Sequence, residues 1–156
     1  MVLRTCLLVF LLNLLAGSAL QEKSIGIYMV MKGGKKNASC QQLLRSRNLK
    51  TSACIPSSPV ITLEEFAGMT EIVNSVVRQK SYFNLVLSPN AYNKLKKIIT
   101  SLPENQLVLI VDDTVVGFIE NMDQVSNRTI EIGGEVNSPD VQWAYDHLKT
   151  RVKRSP

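Results

Sequence analysis

Asp112 and Asp113 are the side chains in this 156-residue sequence that most invite a chemical role, since neighbouring carboxylates can share a proton or hold a cation. Their setting argues against it. Adjacent residues on an extended chain point to opposite faces. The pair also interrupts two apolar, β-branched runs, Gln106 to Val111 and Thr114 to Ile119, at the place where Asp commonly forms a turn. The spacing therefore predicts a hairpin turn. No D-x-D-x-D-G calcium loop is present, so Glu120 and Asp123 do not complete a metal site.

His147 is the single histidine, so a nucleophile paired with an imidazole base would have to use it. No G-x-S-x-G, H-E-x-x-H or C-x-x-C motif supplies a partner. A small hydrolase would need a deep pocket that sets His147 beside Ser or Asp, and the sequence offers no sign of one. Trp143 borders the apolar stripe of the same segment and reads as a packing or rim residue. With its ring exposed it becomes the best single candidate for a protein contact. The expectation is a non-enzymatic chain with no catalytic residue, no metal and no cofactor.

The segments that hold these residues follow a leader. Arg4, the apolar stretch Leu7 to Leu15 and the small residues Ala16-Gly17-Ser18-Ala19 have the order of a cleaved signal peptide, residues 1–19. An uncleaved anchor is the alternative, and only then would the membrane be a partner; the apolar run is short of the roughly 20 residues a spanning helix needs. Residues 20–156 suffice for one domain with a real core. Within an oxidising compartment Cys40 and Cys54 read as a disulfide, and closing a loop of about 15 residues contributes roughly 3 kcal/mol in the chain-entropy picture. A metal site would need two further ligands.

Charge is unevenly distributed. Residues 20–60 hold Lys23, Lys32, Lys35, Lys36, Arg45, Arg47 and Lys50 against Glu22 alone, a net +6, whereas residues 61–156 hold ten basic and twelve acidic side chains, a net −2. A basic flap suits an acidic partner. No aromatic residues interleave with the charges to stack on bases, so nucleic acid is not expected. Lys35, Lys36, Arg45, Arg47 and Trp143 are the candidate contact residues. Asn37-Ala38-Ser39 and Asn127-Arg128-Thr129 match the glycosylation triplet, and Arg151 to Arg154 matches a basic processing site; both bear on a eukaryotic secretory route only.

Periodicity supplies the elements. Ser24 to Lys32 alternates as a strand buried on both faces, and the polar, Ser-rich stretch to Pro59 reads as a long loop pinned by the cysteines. Thr62-Leu63-Glu64-Glu65 is a capping-box pattern and predicts a short helix through Phe66 and Met69. Glu71 to Val77 and Tyr82 to Leu87 read as strands joined by a turn from Arg78 to Ser81. Ser88-Pro89 and Ser138-Pro139 each open an amphipathic helix, with Thr129 to Ile132 as a further strand. The predicted fold class is α+β: an antiparallel or mixed sheet with two long helices packed on one face, plus the disulfide-pinned loop near the N-terminus.

This order of elements, carried by YFNLVLS (82–88), PNAYNKLKKIITSL (89–102), LVLIVDDTVVGFIE (107–120), TIEIGGEV (129–136) and SPDVQWAYDHLK (138–149), resembles the periplasmic head subdomain of the SecD and SecDF protein-export factors. The best-supported part is 82–152. IGIYMVMK (25–32) and PVITLEEF (59–66) are similar in kind to the segments that precede it there. In that family the hairpin usually reads D-G, whereas Asp113 stands here in the glycine position. The family's full members use many membrane spans and the proton gradient, for which this chain has no counterpart. What the resemblance implies is an extracytoplasmic domain, periplasmic or in the cell envelope, that binds exported polypeptide or an envelope protein. A stand-alone adaptor or inhibitor with the same fold and no export role is the alternative.

Overall fold

The computed structural model describes residues 24–31, 40, 42–48, 50–101, 106–119 and 125–152. The leader of residues 1–19, Lys35, Lys36, the Asn37 triplet and Lys153 with Arg154 lie outside the described residues. The chain forms strands β1 (Gly26–Met29), β2 (Gln42–Ser46), β3 (Ser52–Ile55), β4 (Ile61–Thr62), β5 (Phe66–Met69), β6 (Val73–Ser75) and β7 (Lys80–Leu87). Helix α1 (Pro89–Ser101), β8 (Leu107–Val111), β9 (Thr114–Ile119), β10 (Val125–Ser126), β11 (Thr129–Glu135) and helix α2 (Pro139–Leu148) follow.

These strands make two sheets. One runs β3-β2-β9-β8-β1-β4 and is mixed, because β2 lies parallel to β9; the other runs β10-β11-β7-β5, with β6 also paired to β7, and is antiparallel. The expected pair of long helices on one face of a single sheet is therefore corrected. Strand outweighs helix by 45% to 24% of the described residues, and the helices have 13 and 10 residues. The physical reason lies upstream of Tyr82, where four short strands, β2 to β5, stand in place of the expected long loop and short helix. Thr62 does cap a turn, its amide donating to the Glu65 carboxylate at 2.9 Å, but the turn is a single 3-10 turn at Leu63–Glu65. β-Strand resumes at Phe66, which carries the chain from the first sheet into the second. The supposed disulfide-pinned loop contains the β2–β3 hairpin, with Leu43 opposite Cys54 and Leu44 opposite Ala53.

The core explains why two sheets form. Every residue of β8 is buried, and alternate side chains enter different clusters: Leu107, Leu109 and Val111 join the larger one, Val108 and Ile110 the smaller. The smaller cluster also holds Tyr28, Leu44, Ala53, Ile55 and Val115, side chains from four further strands of the same sheet. That sheet curls on itself. Past the end of β1, the Met31 amide donates to the Cys54 carbonyl on β3 at 2.8 Å, and the Cys40–Cys54 disulfide fastens the same strand.

On β7 the alternation is complete: Ser81, Phe83, Leu85 and Leu87 face inward, and Lys80, Tyr82, Asn84 and Val86 face outward. A one-residue slip would expose the apolar set at roughly 1.5–3 kcal/mol per side chain, so the register is fixed. Both helices begin as the sequence predicts. The Ser88 hydroxyl accepts from the Ala91 amide at 3.2 Å, the Ser138 hydroxyl from the Val141 amide at 3.5 Å, and Pro occupies the first helical position in each. Helix α2 contacts β7 and β11 of one sheet and β8 and β9 of the other, burying Val141, Ala144, Tyr145 and Leu148.

Candidate functional surface

The β8–β9 turn is where the chemistry-bearing residues meet. Val111 pairs with Thr114, and Asp112 and Asp113 lie between them with φ of 48° and 62°. Two left-handed residues in a two-residue loop define a type I′ turn, the form that matches the twist of an antiparallel hairpin. Asp tolerates this conformation better than most side chains do. The expected turn is thus present, and its carboxylates have separate work.

Asp113 accepts from the Ser24 amide at 3.1 Å and from the Ser24 hydroxyl, holding the start of the β1 segment against the hairpin. Tyr28 lies next to this contact. Burial pushes its phenol up, the Ser24 hydrogen bond pulls it down, and the Asp113 charge raises it further. Asp112 turns to α2 and the residues that follow it. Its side chain is 6% exposed, is paired with Arg151, and has the His147 Nε2 at 3.9 Å. The other ring nitrogen of His147 donates to the Trp143 carbonyl at 2.8 Å, because a carbonyl can only accept. His147 is therefore oriented by the backbone of its own helix, and the carboxylate it approaches is already committed to a guanidinium. The arrangement ties the end of α2 to the hairpin.

Trp143 and Arg47, both singled out in the sequence, do come together. The Arg47 guanidinium lies over the indole at 5.3 Å from its centroid, donates to the Pro139 carbonyl at 3.2 Å and stands 3.7 Å from Asp140. The indole also packs against the His147 ring, tilted by 36° with centroids 4.3 Å apart. Trp143 is half-buried and Arg47 exposed, so this is a small cation–aromatic platform on the surface. Arg45 is exposed on β2, where it pairs with Thr114 and Ser52. Cys40 and Cys54 form the expected disulfide, with Cα atoms 5.6 Å apart.

An open cleft of about 450 Å³ beside the clamp is lined by Ser24, Tyr28, Ser57, Thr62, Glu64 and Arg151. Its hydroxyls and charges could hold a polar group, but Ser24 is hydrogen-bonded to Asp113 while His147 approaches Asp112. Among the described residues no group of three or more His, Cys, Asp or Glu side chains could hold a metal ion, and no helix is long and apolar enough to cross a membrane.

Sequence reasoning missed one surface feature. Val76 and Val77, assigned above to a strand, sit instead in the β6–β7 loop, 80% and 95% exposed. The loop is closed from within: the Arg78 amide donates to the Ser75 hydroxyl at 3.1 Å, the Gln79 amide to the Val76 carbonyl at 3.1 Å, and Gln79 takes φ of 50°. Arg78 and Lys80 share the Glu131 carboxylate and flank the Tyr82 ring. Burial pushes Glu131 up, but the hydrogen bonds and charges of Lys80 and Arg78 outweigh it and hold the carboxyl below its ordinary range. No sequence signal separated these valines from strand, since β-branched pairs favour strand wherever they occur. Comparisons with protein-family models, with curated proteins and with solved structures found no match for the chain.

Proposed function

We propose that this chain is a non-enzymatic extracytoplasmic domain that binds polypeptide or another exported protein, in the manner implied by its resemblance to the head subdomain of the protein-export factors. The observation that carries the reading is the division of labour among its polar side chains. Asp112, Asp113, His147 and Arg151 hold a hairpin and a helix together, whereas Arg47 and Trp143 form a surface platform of the residue types that protein interfaces favour. The leader-like residues 1–19 and the Cys40–Cys54 disulfide support a location outside the cytoplasm.

A pull-down tests it. The immobilised full chain, offered an envelope extract, is expected to retain exported polypeptides or a component of the export machinery. Combining Arg47→Ala with Trp143→Ala is expected to reduce that recovery. An extract from which neither class is recovered overturns the proposal.

A further inference from the structure

Exposed aliphatic surface is concentrated in one place. Among the described residues four large apolar side chains remain exposed, and three of them, Val73, Val76 and Val77, fall within five positions on β6 and its loop; Leu43 is the other. Turn chemistry does not ask for valine there, because loops of this kind are served by Gly, Asn, Asp and Ser. Single exposed apolar residues are ordinary, but three within five positions, one on a strand and two in the loop that follows it, make a local apolar surface that suits an occupant.

The strand beneath these valines differs from the other sheet borders. β3 is tied back to Met31 through Cys54, and β4 and β10 have only two residues each. β5 carries a register irregularity between Phe66 and Gly68, the kind of bulge that turns an edge away from pairing. From Ile72 to Val77 there is no proline, no glycine and no charge. Among the described residues β6 pairs with β7 alone, so its second side faces no strand. The natural complement of a bare strand edge is another extended chain, whose own amides and carbonyls complete the ladder. At the loop end Arg78, half exposed and sharing the Glu131 carboxylate with Lys80, offers a guanidinium next to the valines.

We propose that the β6 edge, with Val73, Val76 and Val77, receives an extended apolar polypeptide segment as an added strand, with an acidic residue of that segment meeting Arg78. This deepens the proposed function and rests on it: the ligand is an unfolded or extended stretch of chain, bound mainly through its backbone, with β-branched or other apolar side chains beside the valines.

The test uses the full chain and a fluorescent peptide of alternating valine and threonine ending in aspartate, followed by anisotropy. Saturable binding is expected, weakened at least about tenfold by Val73→Lys and by Val77→Asp, a loss that corresponds to one decade in Kd. The same peptide N-methylated at alternate amides is expected not to bind, which tests strand addition from the ligand's side without touching the fold. Leu43→Ser, which removes the fourth exposed apolar side chain from the other sheet, is expected to leave peptide binding unchanged. Equal binding of the N-methylated peptide, wild-type affinity in both valine variants, or absence of saturable binding overturns the proposal. So does finding that Val77→Asp abolishes self-association in sedimentation, or binding to phosphatidylglycerol vesicles, while no peptide binds. Retention of exported polypeptides that the valine variants leave untouched sinks the β6 assignment while sparing the polypeptide-binding reading; loss of all such retention sinks both.

Discussion

Asp112 illustrates how a residue chosen for possible chemistry earns a mechanical role. Its φ of 48° is set by the turn, and its nearly buried carboxylate faces Arg151 and His147. Asp112→Asn keeps a residue that accepts the left-handed region and removes the charge. Because Arg151 and His147 are each more than a third exposed, water screens the pairing, and the expected loss is about 1 kcal/mol, read from urea denaturation. Asp112→Val adds the strain of a β-branched residue at positive φ, about 1–2 kcal/mol more. Equal stability of wild type and Asp112→Asn would show that the clamp contributes nothing. Glu131 makes a complementary case in pH. Its folded-state carboxyl titrates below the unfolded one, so its contribution is present above the unfolded value, about 4.3, and is lost as pH falls through the depressed folded value. Thermal unfolding should therefore separate wild type from Glu131→Gln at neutral pH and bring them together in strong acid. At this scale the sequence revealed the Asp turn, because turn propensity is local. It could not reveal Arg151 and His147 as the partners of Asp112, since those contacts join a hairpin to a distant helix end, nor the exposure of Val76 and Val77, which only the loop's position decides.

Elements were legible where one signal sufficed. The Ser-Pro helix starts, the paired strands around Asp112-Asp113 and the doubly buried β1 follow from caps, turns and alternation within a few residues. The β2–β3 hairpin was not, because its strands are four or five residues long, too short for a clear alternation, and partly solvated. They hold as strands through pairing with β9 and through the disulfide, which are contacts across the chain. Replacing Cys40 and Cys54 with serine should cost roughly 3 kcal/mol for a sequence separation of 14, and hydrogen exchange should report it first at the Met31 amide and along β3. Uniform protection loss across both sheets would argue that β3 is not a separable unit. Gly26 provides a sharper probe of how β1 meets β4 at the border of the curled sheet. A Cβ there would stand 2.6 Å from the Ile61 carbonyl oxygen and 3.0 Å from the Pro59 Cβ, at a φ of 156°. The first neighbour is backbone and cannot swing aside, so Gly26→Ala should destabilise by about 1–3 kcal/mol, and a wild-type melting temperature would refute that account.

On the scale of the whole molecule, helix α2 decides whether the two sheets behave as one body. The larger apolar cluster takes Ile27, Leu107, Leu109 and Val111 from the curled sheet, Phe83, Leu85 and Ile132 from the other, and Val141, Ala144 and Leu148 from α2. Neither sheet has an apolar layer of its own large enough to replace that shared one, since the smaller cluster serves the curled sheet alone. A cut through the centre should therefore be felt everywhere. Leu148, fully buried on α2, is the position to test. Leu148→Ala removes its side chain from a packed interior, and large-to-small changes of this kind cost about 2–5 kcal/mol. If the sheets share one core, the variant unfolds in a single transition at lower denaturant, and amide exchange rises together in β7 and β8. Should β7 and β11 keep their protection while β8 and β9 lose theirs, the two sheets would be separate cooperative units. In the first case the β6 edge and the Arg47–Trp143 platform are held in fixed relation by the same interior.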